Sequence, residues 1–411
     1  MIAYRKYTLK NGLTLIYHRD KSTPVCAVSL LYKVGSRDES PHQTGLAHLF
    51  EHLMFSGSEH APDYDIPMQN AGGENNAFTN NDHTNFYCIL PTENLDTALW
   101  LESDRMANLK LNQKKLSNQI SVVIEEFKET CLNESYGDAW HYISEMAYTK
   151  HPYRWPVIGL QKEHIASVTL EDAQAFYKAN YNPSNAILTI AGPLPFSEIV
   201  SKVNYWFGDI TDEGQNQKIY PKEDKLRGPL EKTIKADVPS DAIYLVFPMS
   251  DRQSPEYYCF DILSDILGGG RSSRLYRHLV KEKELCSYID AYITGTEDQG
   301  LFVIEAKLNE GVAVNEVEEH LWQELHRLKS EPISKNELLK LKNKVESSIV
   351  FSEISVMQKA INLAIFESIG DADLINSEVA MYRSVQAEDL KKVAHSTFHL
   401  DNSVKLVYLK A

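Results

Sequence analysis

The sequence predicts an α+β protein built from two duplicated domains, each an antiparallel-rich sheet backed by helices. The chain has 411 residues, of which 43% are hydrophobic and 24% charged. This length exceeds one ordinary core, and the composition is typical of a folded globular protein. Residues 168–192 and 385–411 also align without a gap at an offset of 217. Strands and helix pairs are mixed along both halves, which favours the α+β class over a parallel α/β fold.

The two aligned segments each read as a short amphipathic helix, a turn and an apolar strand. The matched pairs are Val168 with Val385, Glu171 with Glu388, Asp172 with Asp389, Tyr181 with Phe398, and Asn185 with Asn402. A match of residues and pattern at one offset indicates duplication. The alternative interpretation is that any helix–turn–strand segment looks alike.

A domain boundary is expected between the two copies. Residues 209–228 are polar, contain Gly and Pro, and have almost no apolar periodicity, as linkers do. The predicted domains are therefore 1–211 and 225–411.

The expected elements follow from apolar periodicity. In the first domain we predict strands at 4–10, 13–18 and 25–34, a helix over 44–55, a strand ending the segment 75–91, and helices around 93–108 and 114–131. In the second we predict a strand at 242–249, a helix over Glu256–Leu267, a Gly-rich turn, a helix from Ser273, strands around 287–295 and 300–308, and then long helices.

Charge, apolar runs and cysteines exclude several classes of protein. The formal net charge of −15 argues against nucleic acid as the main partner, because phosphate binding needs a basic face. No apolar run approaches the ~20 residues of a membrane span. The five cysteines are scattered without a CxxC motif, which is typical of single thiols in a reducing compartment. The first residues alternate like a strand rather than a signal peptide. We therefore expect a cytoplasmic protein.

The segment "HLFEH", residues 48–52, lies inside the helix predicted over 44–55. His48 and His52 are four positions apart, so both imidazoles leave the same side of the helix. Two neutral imidazoles at this spacing can bind one Zn²⁺. Glu51 lies beside that face and can reach a metal-bound water. The order is the mirror of H-E-x-x-H, the inverzincin pattern. The alternative is a pair of ordinary surface histidines.

A catalytic zinc usually takes three protein ligands, so a third is expected from elsewhere in the chain. Residues 119–130 predict a helix with an apolar stripe formed by Ile120, Val123, Ile124 and Phe127. Glu125, Glu126 and Glu129 lie off this stripe. These glutamates are candidates for the third ligand, and the alternative is a solvated helix face.

"HLFEH", followed some seventy residues later by "VVIEEFK", resembles the pitrilysin/insulinase family of zinc metallopeptidases. This family includes mitochondrial processing peptidase and many short bacterial members. The resemblance continues in "GGENNAFTNNDHTNFY", residues 72–87, and in "RSSRLYRHLVKEKELCSY", residues 271–288. The matches span both halves, and the duplicated architecture is also that of the family.

The resemblance implies a role for each matched residue. His48 and His52 would be zinc ligands, Glu51 the general base, and Glu126 the third ligand, with Glu125 and Glu129 as fallback choices. The substrate-binding strand would comprise Asn76, Ala77, Phe78 and Thr79. The paired basic residue and tyrosine of the second domain would be Lys281 and Tyr288, with Tyr288 also donating a hydrogen bond to the oxyanion.

Two residues depart from the family pattern. Gln119 stands where the family often has an acidic partner seven residues before the ligand glutamate, which can alter hydrogen bonding around the ligands. Lys281 stands where Arg is usual, and lysine lacks the planar bidentate fork. The alternative for Lys281 is a solvated helix residue.

The resemblance also implies an activity and an assembly. The chain would be a zinc-dependent endopeptidase or oligopeptidase that hydrolyses extended peptides in a closed chamber, with basic peptides favoured by the acidic charge. One chain would be half of a clamshell, so a homodimer is expected, and a heterodimer with a sister chain is the alternative.

Two other functions stay open on the sequence alone. One is a non-catalytic or partner-dependent assembly subunit of the same family. The other is a structural metal protein, which needs a fourth ligand. His42, His60 and His83 lie nearby in sequence, and we expect them to be ordinary loop residues.

Overall fold

The computed structural model describes residues 1–214 and 218–411. The predicted linker over 209–228 therefore lies partly outside the described residues, at 215–217. The strands are β1 (Tyr4–Thr8), β2 (Thr14–Arg19), β3 (Val25–Tyr32), β4 (Glu74–Thr79), β5 (Thr84–Pro91), β6 (Ala186–Gly192), β7 (Leu230–Ala236), β8 (Ala242–Pro248), β9 (Cys286–Ile293), β10 (Leu301–Leu308) and β11 (Val404–Lys410).

The helices include those predicted over 44–55, around 93–108 and over Glu256–Leu267, together with others that were not predicted. They are α1 (Leu46–Phe55), α2 (Asp65–Asn70), α3 (Leu95–Ala107), α4 (Gln113–Phe127), α5 (Ala139–Ala147), α6 (Lys162–Ala166), α7 (Leu170–Asn180), α8 (Phe196–Phe207), α9 (Glu256–Leu267), α10 (Val314–Ser330), α11 (Lys335–Ser352), α12 (Val356–Ser368), α13 (Leu374–Ser384) and α14 (Ala387–Thr397). The π-helical turn Lys128–Asn133 replaces the end of the helix predicted around 114–131, and the π-helical turn Tyr276–Glu282 stands in place of most of the helix predicted from Ser273.

The chain forms two compact units, each with one sheet. The first unit comprises Met1–Phe127, Trp155–Tyr220 and Val350–Ser377. Its six-stranded sheet has the order β1-β2-β6-β3-β5-β4, with β2 and β6 parallel and the other neighbours antiparallel. The strand β4 forms one edge of this sheet.

The second unit comprises Lys128–Arg154, Pro221–Ile349 and Glu378–Ala411. Its five-stranded sheet has the order β7-β11-β8-β10-β9, again with one parallel pair, β7 with β11. The strand β9 forms an edge here, as β4 does in the first sheet. The fold is thus the predicted α+β class with two repeated, antiparallel-rich sheets.

The repeat is visible in helix capping as well as in topology. Thr169 precedes α7, and its backbone N–H donates to the carboxylate of Asp172 at 3.0 Å. At the equivalent place before α14, the backbone N–H of Gln386 donates to Asp389, also at 3.0 Å. Both helices therefore begin with an acidic side chain at their third position, which satisfies an otherwise unpaired donor. α7 and α14 begin and end at the same offset of 217 that the sequence alignment gives.

The compact units differ from the predicted domains 1–211 and 225–411, because each half contributes a helix to the other half's sheet. α5 packs on β8 and β11 of the second sheet, and α12 packs on β3 and β6 of the first. The side chains of Ala360, Leu363 and Ala364 on α12 are fully buried in the first unit. The predicted boundaries mark the repeat in the sequence, and the exchanged segments lie outside that pattern.

Within the described ranges, no helix taken alone has both the length and the apolar character needed to cross a membrane. Among the helices of those ranges, only the bent pair formed by α11 and α12 together reaches that length and composition.

Candidate metal centre

The helix α1 carries the H-x-x-E-H motif and is anchored by its apolar face. Apolar residues recur along it at three- and four-residue spacing and are all buried, namely Leu46, Leu49, Phe50, Leu53 and Met54. The ring of Phe50 stacks on Tyr181 with centroids 5.2 Å apart and lies 5.3 Å from Phe176. This packing fixes the rotation of α1 about its axis and turns His48 and His52 away from the core.

A buried carboxylate caps the start of α1. Gly45 precedes the helix with φ of 90°, and a Cβ there would lie 2.7 Å from the carbonyl oxygen of Ile158, so only glycine fits. The backbone N–H groups of Gly45 and Ala47 donate to the two oxygens of Glu39, both at 2.8 Å. A negative group at this end also suits the helix dipole. Burial nevertheless raises the pKa of Glu39 well above its usual value, against the effect of these hydrogen bonds.

Three predicted ligands converge at one point beside α1. The Nε2 atoms of His48 and His52 lie 3.7 Å and 3.4 Å from the two carboxylate oxygens of Glu126 on α4. One ligand atom from each of the three residues can be chosen so that all lie within 4.8 Å of one another. The two imidazole rings are nearly perpendicular, with centroids 4.9 Å apart. Residues some seventy positions apart in sequence thus form one cluster.

Among the three candidate glutamates, the structure brings only Glu126 to the histidines. On α4, Val123 and Phe127 are buried, which turns Glu126 toward α1. Glu125 and Glu129 are exposed, and neither belongs to the group of potential metal ligands found among the described residues. Sequence spacing could not decide between the three, because all lie off the apolar stripe.

The charges of the cluster are arranged for metal binding. Burial lowers the pKa of His48, although the neighbouring Glu126 acts in the opposite direction, so the imidazole is favoured in its neutral form. The hydrogen bond with His52 is the largest effect that lowers the pKa of Glu126, against a smaller effect of burial. Neutral imidazole and ionised carboxylate are the forms that bind a metal.

Glu51 is held by a residue of the predicted substrate strand. The hydroxyl of Thr79, the last residue of β4, donates to Oε2 of Glu51 at 2.6 Å. This bond was not predicted from the sequence, because Thr79 was assigned only to substrate binding. It fixes one carboxylate oxygen of Glu51 and leaves the other, Oε1, for a different partner.

The remaining predicted substrate residues lie on the edge strand β4. Asn76, Ala77 and Phe78 pair with Tyr87, Phe86 and Asn85 of β5. The opposite edge of β4 has no neighbouring strand in the described sheet. α1 also packs against β4, so the open edge begins next to the cluster.

The other predicted residues lie elsewhere. Gln119 is half-buried on α4, seven residues before Glu126. Lys281 and Tyr288 belong to the second unit, in the π-helical turn and on the edge strand β9. Both side chains are exposed. Partial burial and the nearby carboxylates of Asp290 and Glu305 raise the pKa of Tyr288 to about 12, so its hydroxyl keeps its proton at neutral pH.

The nearby histidines do not join the cluster. His60 pairs with the buried carboxylate of Asp104 at 2.7 Å. His83 is buried in the loop before β5, where Asn80 donates to its Nε2 at 3.1 Å. His42 is exposed. Among the described residues, no fourth side chain of the ligating type closes the sphere around His48, His52 and Glu126.

The donor set fits a zinc ion. Ligands held ~2.0–2.1 Å from one ion at the tetrahedral angle lie ~3.3–3.4 Å apart. The separations of 3.4 Å and 3.7 Å between imidazole nitrogens and carboxylate oxygens are close to that value. Two nitrogens and one carboxylate are also the ligand types of catalytic zinc sites, which leave one position open for water.

The fold and the cluster define a class: a two-sheet α+β protein with a helix-borne His-x-x-Glu-His site in the first unit. The sequence model described as Insulinase (Peptidase family M16) matches residues 14–159, and that described as Peptidase M16 inactive domain matches residues 167–345. The chain belongs to the insulinase family of peptidases, family M16.

Individual relatives agree with this membership. The chain is 29% identical to the zinc protease PqqE of Helicobacter pylori over 413 aligned positions, covering 99% of this chain and 93% of the relative. It is 25% identical to a probable mitochondrial-processing peptidase subunit beta of Arabidopsis thaliana, covering 74% of this chain and 59% of that one. The crystal structure of a protease from Helicobacter pylori superimposes with a TM-score of 0.94 at 27% identity, over 99% of this chain and all of that one.

Proposed function

We propose that the chain is a zinc-dependent endopeptidase or oligopeptidase that hydrolyses extended peptides. The observation that carries this proposal is the convergence of His48, His52 and Glu126, with Glu51 beside them on the same helix. Relatives of the chain are named zinc proteases, which supports zinc as the cofactor and peptidase as the class of enzyme.

The residues of the cluster would divide the chemistry between them. His48, His52 and Glu126 would hold a zinc ion, which supplies an acidified water and polarises the scissile carbonyl when bound. Glu51 would take the proton of the attacking water at Oε1 and pass it to the leaving amine. Thr79 would hold Oε2 of Glu51 in place during both transfers.

The open edge of β4 would bind the substrate. A peptide added there as a further strand would form main-chain hydrogen bonds with residues 76–79, which gives affinity with little sequence preference. Such binding requires an extended chain, so unfolded peptides would be better substrates than folded proteins. The net charge of −15 would favour basic peptides.

We propose a homodimer as the working assembly. The partner's Lys281 and the partner's Tyr288 would then contact substrate, with the hydroxyl of the partner's Tyr288 donating a hydrogen bond to the oxyanion. A heterodimer with a sister chain is the alternative, and one relative is named as a subunit beta. Light scattering on a size-exclusion column tests this proposal, which a fully active monomer would contradict. We propose the cytoplasm as the location.

The test is cleavage of a quenched basic peptide by the full chain loaded with zinc. We expect Glu51→Gln to keep its zinc and lose cleavage by about 10²–10⁴-fold, the usual contribution of a general base. Glu126→Gln should lose both zinc and cleavage, while the matched control Glu125→Gln should keep both. Wild-type levels of cleavage by Glu51→Gln would refute the assigned base.

A second candidate is a non-catalytic assembly subunit of the same family. Two observations favour this candidate. Gln119 stands in place of the usual acidic residue, and residues 167–345 match a domain that is described as inactive. That match covers the half without the H-x-x-E-H motif, so it does not count against the cluster in the first unit. Zinc-loaded wild-type protein that cleaves no peptide, alone or with a partner chain, would support this candidate.

A further inference from the structure

The second unit contains a pair of histidines in contact that has no role in the proposed peptidase site. His278 lies in the π-helical turn Tyr276–Glu282, and His320 lies on α10. Nε2 of His278 is 3.2 Å from Nδ1 of His320. Both side chains are partly buried, so they are held by their surroundings yet open to solvent.

The geometry of this pair resembles that of the pair in the first unit. The ring centroids of His278 and His320 are 4.9 Å apart with an interplanar angle of 76°. For His48 and His52 the corresponding values are 4.9 Å and 89°. Two nitrogens bound to one tetrahedral ion at ~2.0–2.1 Å lie ~3.3–3.4 Å apart, close to the 3.2 Å observed here.

Oxygen ligands and negative charge lie around the pair. Oε1 of Gln323, one helical turn further along α10, is 3.1 Å from Nδ1 of His320. Oε2 of Glu282 is 3.6 Å from the other nitrogen of His278, and Glu319 accepts a hydrogen bond from Gln323 at 3.4 Å. The carboxylate of Glu319 would offset part of the charge of a bound cation, whereas Oε1 of Glu282 also lies 3.7 Å from the guanidinium of Arg277.

We propose that His278 and His320 form a second transition-metal site, with the amide oxygen of Gln323 and water completing the sphere. Imidazole nitrogens select Zn²⁺, Cu²⁺ or Ni²⁺ over Mg²⁺ or Ca²⁺. The site has no charged ligand in contact with the ion, so it binds more weakly than the cluster of His48, His52 and Glu126.

A metal at this site would join two elements of the second unit. It would tie the π-helical turn, which also carries Lys281, to α10. Since the turn's last residues lead into the edge strand β9, zinc concentration would control how firmly this part of the second unit is held. The proposal does not depend on the proposed peptidase activity.

The experiment is equilibrium dialysis of the full chain against buffered zinc, with bound metal measured by mass spectrometry. We expect wild type to take up a second zinc ion at higher free zinc. His278→Ala and His320→Ala should each stop at one ion. The matched control His326→Ala, which changes an exposed histidine on the same helix, should still bind two.

Zinc-free thermal unfolding of each variant controls for folding. A variant that unfolds early is replaced by His278→Gln or His320→Gln, which keep the polar character without the imidazole. Equal zinc uptake by wild type and all variants would overturn the proposal, and so would loss of the second ion in only one of the two histidine variants. Either result would leave an ordinary hydrogen bond between the imidazoles.

Discussion

At the scale of single residues, the carboxylate of Glu51 has one oxygen fixed by the hydroxyl of Thr79. The hydrogen bond of 2.6 Å has the length usual for a hydroxyl donor and holds that oxygen in place. Thr79 is therefore a positioning residue, which acts through Glu51, besides its place on the edge strand.

We predict that Thr79→Val lowers kcat about 10-fold with little change in KM, because a misplaced base slows proton transfer without removing substrate contacts of the backbone. Thr79→Ser, which keeps the hydroxyl, should restore most of the activity. Steady-state cleavage of the quenched peptide measures both. Equal kcat values for Thr79→Val and wild type would show that the hydrogen bond does not position Glu51.

The buried position of His83 predicts that stability depends on pH. Burial, followed by the positive charge of Arg37, lowers the pKa of His83 to about 4. The unfolded chain has the ordinary value of about 6.5, so it takes up a proton first as the pH falls. Stability that is present above pH 6.5 is therefore lost between pH 6.5 and 4, by about 3 kcal/mol in all.

We predict that His83→Gln removes this part of the acid sensitivity. Chemical denaturation at pH 7 and pH 5 should show a smaller difference for the variant than for wild type. His326→Gln, a change of an exposed histidine, should behave like wild type. An unchanged difference between the two pH values in His83→Gln would contradict the assignment.

The residue scale also shows what the sequence could decide. The spacing of His48, Glu51 and His52 on one helix was sufficient to place them on one side. The sequence could not show which of Glu125, Glu126 and Glu129 faces the histidines, because this depends on the rotation of α4 against α1. The contact between Thr79 and Glu51 joins a strand to a helix, so no local pattern encodes it.

At the scale of elements, Glu39 caps the start of α1. Its oxygens accept from the N–H groups of Gly45 and Ala47, six and eight residues later. An ordinary N-cap side chain accepts a hydrogen bond from a backbone N–H only two or three residues later in the sequence. The sequence therefore predicted α1 itself, within two residues of its observed start, but not its cap.

We predict that Glu39→Ala lowers the free energy of unfolding by about 1–3 kcal/mol, since two buried N–H groups lose their acceptor. Glu39→Gln, which keeps one acceptor oxygen, should fall between Ala and wild type. Zinc affinity should decline in the same order, because α1 carries two of the three ligands. Denaturation and zinc titration measure these effects. A Glu39→Ala protein with the unfolding free energy of wild type would contradict the prediction.

At the scale of the whole molecule, the two halves of the sequence do not match the two compact units. The repeat could be predicted because α7 with β6 and α14 with β11 share residues at one offset. The exchange of α5 and α12 between the halves could not be predicted. The sheet faces that these helices cover would be apolar whichever half supplied the covering helix. Only long-range packing shows that α12 covers β3 and β6.

We predict that a fragment of residues 1–211 does not fold cooperatively by itself. Without α12, the face of the sheet that includes Ala27 and Ala191, both fully buried in the complete chain, would be exposed to water. Thermal unfolding followed by circular dichroism tests this. A cooperative transition in the fragment at the temperature of the full chain would contradict it.

Zinc binding by His48, His52 and Glu126 can be tested directly by anomalous X-ray scattering at the zinc edge from crystals grown with zinc. We expect a strong peak within bonding distance of Nε2 of His48, Nε2 of His52 and the carboxylate of Glu126. A well-ordered cluster with no peak, or a peak held by Glu125 or Glu129 instead, would contradict it.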